Sequence, residues 1–447
     1  MAETKSKTET TQGDVKTFSR PADKYIWGVY LGLLIISIIE SYSASSFEVR
    51  ADNVFAPLIR HLMTLGIGLL VTYYVSQLNY RWLLPLTPVF VLVSLVISIA
   101  VFAFGFGANN ATRSIEVLGF QLQSSEFIKL SAVAVIALVA SKAQDAYNKL
   151  SNKGVIIIAI SVGIFGGMLF RDGLSNTAIL MGVSICMMLL GGIRFKSLFL
   201  VLAIYLALGS GALLLHNALK DSRNREAAEL AELKREEAMA RGEFVPAEES
   251  KGTLKRAGTW QSRVKQWLKD QTLYDDELTD DNRQAFFSRM AQGQGGLIGN
   301  GPGNCPVASQ LPLANIDYVY SVVVSDLGYV GGIVVLLLYM SLLFRAGRIA
   351  SRCRRIYPAM IIIGMAVFIV FQALYHIAIN TGLFPVSGQP LPMISKGGTS
   401  IVISSLAFGI MLSVSRTAAM SSSREENQAE KESLPEDLQA ENPGMLK

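Results

Sequence analysis

The chain has 447 residues, 51% of them hydrophobic and 17% charged, with a mean hydropathy of +0.38 and a net charge of +5. A soluble domain carries about a quarter charged residues, so a soluble globule is excluded, and the small, dispersed positive balance excludes a nucleic-acid binder. Apolar runs long enough to cross a bilayer recur along most of the sequence, which predicts an all-α polytopic membrane protein.

Residues 1–23 are polar, mixed in charge and without periodicity, and read as a disordered tail. No cleavable signal peptide fits, because the first apolar run starts only after Lys24 and is too long for one. Apolar runs then fall at 25–45, 56–78, 83–106, 123–141, 154–170, 175–193, 197–217, 317–344, 357–383 and 399–416, ten in all. They are continuous rather than alternating, so they predict helices, not strands. Seven spans thus occupy 24–217 and three occupy 317–416, with a large loop at 218–316 between the seventh and eighth and a polar, disordered tail over 417–447.

The short loops set the orientation. Loop 345–355 holds Arg345, Arg348, Arg352, Arg354 and Arg355 without an acid, and Lys142, Lys149, Lys153, Arg194 and Lys196 mark two more loops on the same side. The positive-inside rule places these, and both termini, in the cytoplasm. The loops at 46–55 and 107–122, the large loop and Asp317 then face outward.

The large loop opens on an Ala-, Glu-, Leu- and Lys-rich stretch, within 222–241, that reads as a solvated helix. Trp260, Val264, Trp267 and Leu268 follow at i, i+4, i+7 and i+8 among Arg256, Arg263, Lys265 and Lys269. That pattern is an amphipathic helix, suited to lie on a membrane surface or to pack on the rest of the loop. Next comes a glycine-rich segment from Gly293, read as a flexible loop, which narrows to one carboxylate, Asp317, at the mouth of an apolar run. An Asp at a helix start is ordinarily an N-cap; the glycine crowding before it favours a chemical role.

Nucleotide and metal motifs are missing. The sequence has no Walker loop, no His-Glu-x-x-His and no dinucleotide fingerprint. GNGPGN at 299–304 lacks the Lys-Ser/Thr of a phosphate cradle, so no nucleotide is expected. Cys186, Cys305 and Cys353 lie in unlike settings, and His61, His216 and His376 are far apart, so neither a disulfide framework nor a zinc site is expected. Three further places stand out. Glu126 and Lys129 sit i, i+3 at the start of a span and share a face; such a pair is either functional or a structural bolt. Arg113 in the adjoining loop is a candidate phosphate holder. The segment 384–400, FPVSGQPLPMISKGGTS, cannot be regular helix, and irregular backbone at a membrane edge is tolerated where it lines a cavity.

YSASS at 42–46, SSEFIK at 124–129, GNGPGN with the Leu-Pro at 311–312, IDYVYS at 316–321 and LFPVSGQPLPMISKGGTS at 383–400 together resemble the SEDS family, the peptidoglycan glycosyltransferases of the FtsW and RodA type. The resemblance covers nearly all of the membrane portion, in order. It implies that Asp317 is the catalytic acid and that Glu126 and Lys129 are a functionally important pair; Arg113, Glu126, Lys129, Ser395, Lys396, Gly397 and Gly398 are expected to bind substrate. It further implies polymerisation of lipid II at the outer face of the bacterial inner membrane. The implied partners are a class B penicillin-binding transpeptidase and other divisome membrane proteins. Departures from the family pattern fall at Ser124, Ser114, Ser325-Asp326 and Lys396, and they bear on substrate detail more than on reaction class.

The chemistry suits one carboxylate. A sugar hydroxyl attacks an anomeric carbon bearing polyprenyl diphosphate, and one base takes the hydroxyl proton. A diphosphate leaves as a stable anion, so the remaining need is positive charge, from Arg, Lys or a divalent cation such as magnesium or manganese. A lipid II flippase, an inactive divisome scaffold and an elongation-type polymerase are the competing readings. The polar tails and the bulky loop favour division.

Overall fold

The structure is a computed structural model that describes residues 21–47, 55–104, 114–117, 120–144, 150–205, 263–265, 267–268, 283–305, 307, 311 and 316–418. It is a helical bundle. The helices are α1 (Lys24–Phe47), α2 (Phe55–Gln77), α3 (Leu83–Phe104), α4 (Ser124–Lys142), α5 (Asn152–Asp172), α6 (Leu174–Leu190), α7 (Phe195–Tyr205), α8 (Arg283–Gly295), α9 (Val319–Ala350), α10 (Ile356–Asn380) and α11 (Gly398–Thr417). Every apolar run of the sequence carries one of these helices. Eight of them are long and apolar enough to cross a membrane, while α6 and α7 are shorter apolar helices among the described residues.

The interior is built from α4, α10 and α11, whose spans are mostly buried, whereas α2 and α3 turn rows such as Leu70, Tyr74, Leu92 and Val96 outward. An apolar outer row costs nothing against lipid, so the rows mark the lipid-facing side. With no hydrophobic drive between helices in lipid, close packing falls to small residues. On α11, a side chain at Gly409 would meet Val75 Cβ at 2.8 Å and Thr72 O at 3.2 Å, and this lets α2 lie along α11.

Three features differ from the sequence reading. A β-hairpin, β1 (Ser114–Val117) paired antiparallel with β2 (Phe120–Gln123), precedes α4, with Ile115 opposite Leu122. Its apolar residues alternate, at Ile115, Val117, Phe120 and Leu122, and period-2 spacing favours strand. Second, Asp23 is not part of a loose tail. Its carboxylate accepts from Tyr25 N (3.0 Å) and Ile26 N (3.2 Å), capping α1, and binds Arg345 Nη2 at 2.6 Å. Helix α9 runs through Arg345 and Arg348 to reach that contact, so the arginine-rich turn shortens to 351–355.

The third difference concerns the glycine-rich segment. Helix α9 is broken at Gly328, whose φ of +72° belongs to the left-handed side and favours glycine. The break orphans backbone groups on either side, and an apolar surrounding requires that they be satisfied. The glycine segment does this. Asn300 N donates to Ser325 O and Gly301 N to Asp326 O, each at 2.9 Å, while Tyr329 N donates to Gly296 O at 3.0 Å and Val330 N to Leu297 O at 3.3 Å. A side chain at Gly299 would collide with Asp326 O, so the glycines serve close approach. The segment is docked backbone, not the flexible loop expected.

Candidate active site

The site is organised by the chain between α10 and α11, residues 381–397, which folds in rather than crossing over the surface. Leu391, Met393, Ile394 and Ser395 in it are buried. Ser395 closes the turn: its Oγ accepts from Leu391 N at 2.8 Å and donates to Ile316 O at 2.7 Å. One hydroxyl thus fixes the folded-in segment and the residue before Asp317. Tyr339 adds a bond from α9, its hydroxyl donating to Pro392 O at 2.5 Å.

Asp317 stands one residue before Tyr318, and Tyr318 occupies the capping position of α9 without a side-chain capping bond. The N-cap reading of Asp317 is therefore replaced. Its carboxylate lies against Gly388, where a methyl carbon in place of a glycine hydrogen would sit 3.1 Å from Oδ2 and 3.4 Å from Oδ1. Its backbone is held from α10, with Asn380 Nδ2 donating to Asp317 O at 3.1 Å. Asn380 is a junction. Its Oδ1 accepts from Ser321 N (3.2 Å) and Ser321 Oγ (2.9 Å), and its carbonyl accepts from Ser288 Oγ (3.2 Å) and Gln292 Nε2 (2.7 Å) on α8.

Glu126 and Lys129 form an ion pair of 2.7 Å with both side chains 1% exposed. Lys129 Nζ also donates to Gln372 Oε1 at 3.2 Å, and Gln372 Nε2 reaches Glu126 Oε1 and Pro390 O, each at 3.4 Å. The pair therefore grips the folded-in segment through Gln372. Lys129 is enclosed by these partners.

Positive charge at the mouth comes from residues with other partners. Arg263 Nη1 donates to Val386 O at 3.3 Å and Trp267 Nε1 to Gly382 O at 2.8 Å, so the helical pieces 263–265 and 267–268 pack on the folded-in segment. Arg289 of α8 lies over Gly382, with Nε 3.0 Å from where a Cβ would stand. Burial first, and the Asp317 carboxylate second, push the Tyr318 phenol well above its ordinary value, with Arg263 pulling it back. Asp317 and Arg263 therefore act on one phenol.

Lys396, half-buried, lies within electrostatic reach of His61 on α2. Gly397 holds the N-cap position of α11 and Gly398 starts that helix. Arg113 and His216 lie outside the described residues, as does most of 218–282. His61 is buried and bonded to Ser37 Oγ at 2.9 Å, while His376 Nδ1 donates to Gln389 O at 2.6 Å. Sequence reasoning missed Gln372 and Asn380 as organisers. The signal was present: Gln372, His376 and Asn380 recur every four residues and so line one face of an otherwise apolar helix.

These features define a class: a multi-pass helical membrane protein holding one carboxylate at the mouth of its bundle, against a folded-in, proline-rich segment. The chain belongs to the FtsW/RodA/SpoVE family, whose model, described as a cell cycle protein, matches residues 23–238 and 253–420. It is 27% identical to "Stage V sporulation protein E" of Bacillus subtilis over 393 residues, 87% of this chain and 95% of the relative. It is 29% identical to the "Probable peptidoglycan glycosyltransferase FtsW" of Trichlorobacter lovleyi over 361 residues, 78% of this chain and 80% of the relative. Among solved structures, a chain from a study titled "Structural coordination of polymerization and crosslinking by a peptidoglycan synthase complex" superposes with a TM-score of 0.59 at 20% identity. That match covers 88% of this chain and 98% of the other. The rod shape determining protein RodA of Thermus thermophilus gives a TM-score of 0.57 at 19% identity, covering 90% and 98%.

Proposed function

We propose that the chain is a peptidoglycan glycosyltransferase that joins lipid-linked disaccharides into glycan strands. The observation that carries this is the seating of Asp317, a half-buried carboxylate pressed on Gly388 and fixed through Asn380 and Ser395. A base held on both flanks meets the positioning that proton transfer requires. In the step assigned to it, a sugar hydroxyl of one lipid II attacks the anomeric carbon of the partner strand. Asp317 takes the hydroxyl proton, the carbon–oxygen bond to the diphosphate breaks, and polyprenyl diphosphate leaves with the electron pair. Arg263, Arg289 and Lys396, with Arg113 from its loop, supply the charge that a leaving diphosphate needs. No three Asp, Glu, His or Cys side chains gather among the described residues. Among the described residues, Asp317 is the carboxylate at this site that would hold a magnesium or manganese ion, whose charge would help a diphosphate leave.

Relatives named for this activity support the reading, and those named FtsW support a role in division. The neighbouring structure's concern with polymerisation and crosslinking supports a transpeptidase partner. Five arginines between 345 and 355 support the bacterial inner membrane as location, with both termini cytoplasmic. A reporter active only outside the cytoplasm, fused near residue 350, should stay silent; activity there would invert the orientation. Transport is the competing class. A transporter keeps its key polar groups near the midplane, whereas here Asp317, Asn380, Ser395 and Lys396 gather at helix ends. The direct test supplies the purified chain and its transpeptidase with lipid II, free in detergent and in liposomes. Glycan strands are expected; movement of lipid II across the bilayer without any joining would establish the transporter instead.

A further inference from the structure

Glu40 is an acid in the middle of an apolar stretch, IISIIESYSA, near the end of α1. It is 1% exposed, and neither carboxylate oxygen has a hydrogen-bond partner. Across from it lies Asp326 of α9, also 1% exposed and within electrostatic reach. Asp326 Oδ2 accepts from Ser43 Oγ of α1, while Oδ1 has no partner. Gly303 N also donates to Ser43 Oγ at 3.0 Å, and Gly301 N caps Asp326 O at 2.9 Å, so the docked glycine segment roofs the pair. Ser325 Oγ, fully buried beside Asp326, is a further oxygen without a partner.

Among the described residues the one charged group acting on Glu40 is Asp326, and no Lys, Arg or His acts on either carboxyl group. Two buried acids of like charge with no counter-charge do not persist as such. Either each takes up a proton, or a cation sits between them. Two protons neutralise the pair but leave its orphaned oxygens, now with O–H groups among them, without hydrogen-bond partners. A cation takes all three and neutralises both. The donors are carboxylate and hydroxyl oxygens throughout, which selects a hard cation, and two formal charges select a divalent one. Calcium suits the site better than magnesium, because it accepts irregular oxygen sets whereas magnesium retains its waters.

We propose that Glu40, Asp326 and the adjoining serine hydroxyls form a buried calcium-type cation site that fastens α1, the break in α9 and the glycine-rich segment to one another. It is separate from Asp317, and its test needs no activity assay.

The full chain, purified in detergent and stripped with EDTA, is melted at constant ionic strength against rising calcium chloride and, separately, magnesium chloride. Its ⁴⁵Ca stoichiometry is measured in parallel. The wild type should bind one ion per chain and show a saturable rise in Tm, larger with calcium, because an ion bound only by the folded state stabilises it. Glu40→Gln keeps the side-chain size and should lose both the bound ion and the rise. If Glu40→Gln does not fold, Asp326→Asn and the wild-type stoichiometry decide. No bound ion in the wild type, or a rise that survives in Glu40→Gln, would overturn the site. A wild type indifferent to both metals but stabilised by acid, with that dependence lost in Glu40→Gln, would mean that the pair holds a proton instead.

Discussion

Glu126–Lys129 and Asp23–Arg345 are nearly equal in length, 2.7 and 2.6 Å, and opposite in setting. The first is buried, both side chains 1% exposed, and shared with Gln372 and the folded-in segment. The second is partly exposed, Arg345 at 26% and Asp23 at 9%, at the other end of the bundle, where Arg345 also covers the Tyr25 ring at 4.5 Å. Distance does not rank them; surroundings do. A buried charge that loses its partner is left unsolvated, whereas an exposed one turns to water. The end that carries Asp317 uses buried polar groups to fix irregular chain, and the opposite end uses ordinary caps and a surface pair.

That contrast breaks most readily at Glu126. Glu126→Ala strands the Lys129 ammonium in an apolar interior and should lower stability by about 3–5 kcal/mol, read as a large fall in the detergent Tm or a failure to fold. The joint replacement Glu126→Gln with Lys129→Met removes both charges and should recover much of the loss; equal damage from single and double variants would contradict the pairing account.

Gly388→Ala sharpens the comparison from the side of activity. Its methyl would stand 3.1 Å from Asp317 Oδ2, closer than carbon and oxygen comfortably pack, so the carboxylate must shift. Polymerisation should fall about tenfold, since positioning errors well under 1 Å are costly to catalysis, while the melt stays close to wild type. Full activity in Gly388→Ala would detach Gly388 from the site.

The smallest effect belongs to the less buried pair. Arg345→Ala should cost about 1 kcal/mol or less, and the difference from wild type should shrink as salt is raised. A loss as large as that of Glu126→Ala would erase the distinction between the two ends.

The spans were legible because continuous apolar runs bounded by arginine, proline and glycine leave little choice of structure. The place of Asp317 just before a membrane helix was legible because it is a lone acid where a glycine-rich segment meets an apolar run. The break at Gly328 was not, since Leu-Gly-Tyr-Val-Gly-Gly inside an apolar run looks like helix until the docked segment is seen to satisfy its backbone. Nor could the sequence show that Ser395 reaches Ile316 O, or that Gln372 joins Lys129 to Pro390. Those partners lie up to 243 positions apart and meet only through packing. The alternation before Gln123 and the four-residue recurrence of Gln372, His376 and Asn380 were readable signals. Both were outweighed by the hydropathy of their neighbours.

The central claim is that Asp317 acts as a base rather than as a structural group. Asp317→Asn keeps the size and the polar oxygen of the side chain but cannot take up a proton at neutral pH. Since Tyr318, not Asp317, holds the capping position of α9, the substitution should leave the melt unchanged. Glycan synthesis from lipid II by the purified variant, with its transpeptidase partner, should fall about 10²-fold or more, the usual worth of a positioned base. Synthesis at the wild-type rate by a folded Asp317→Asn would contradict it.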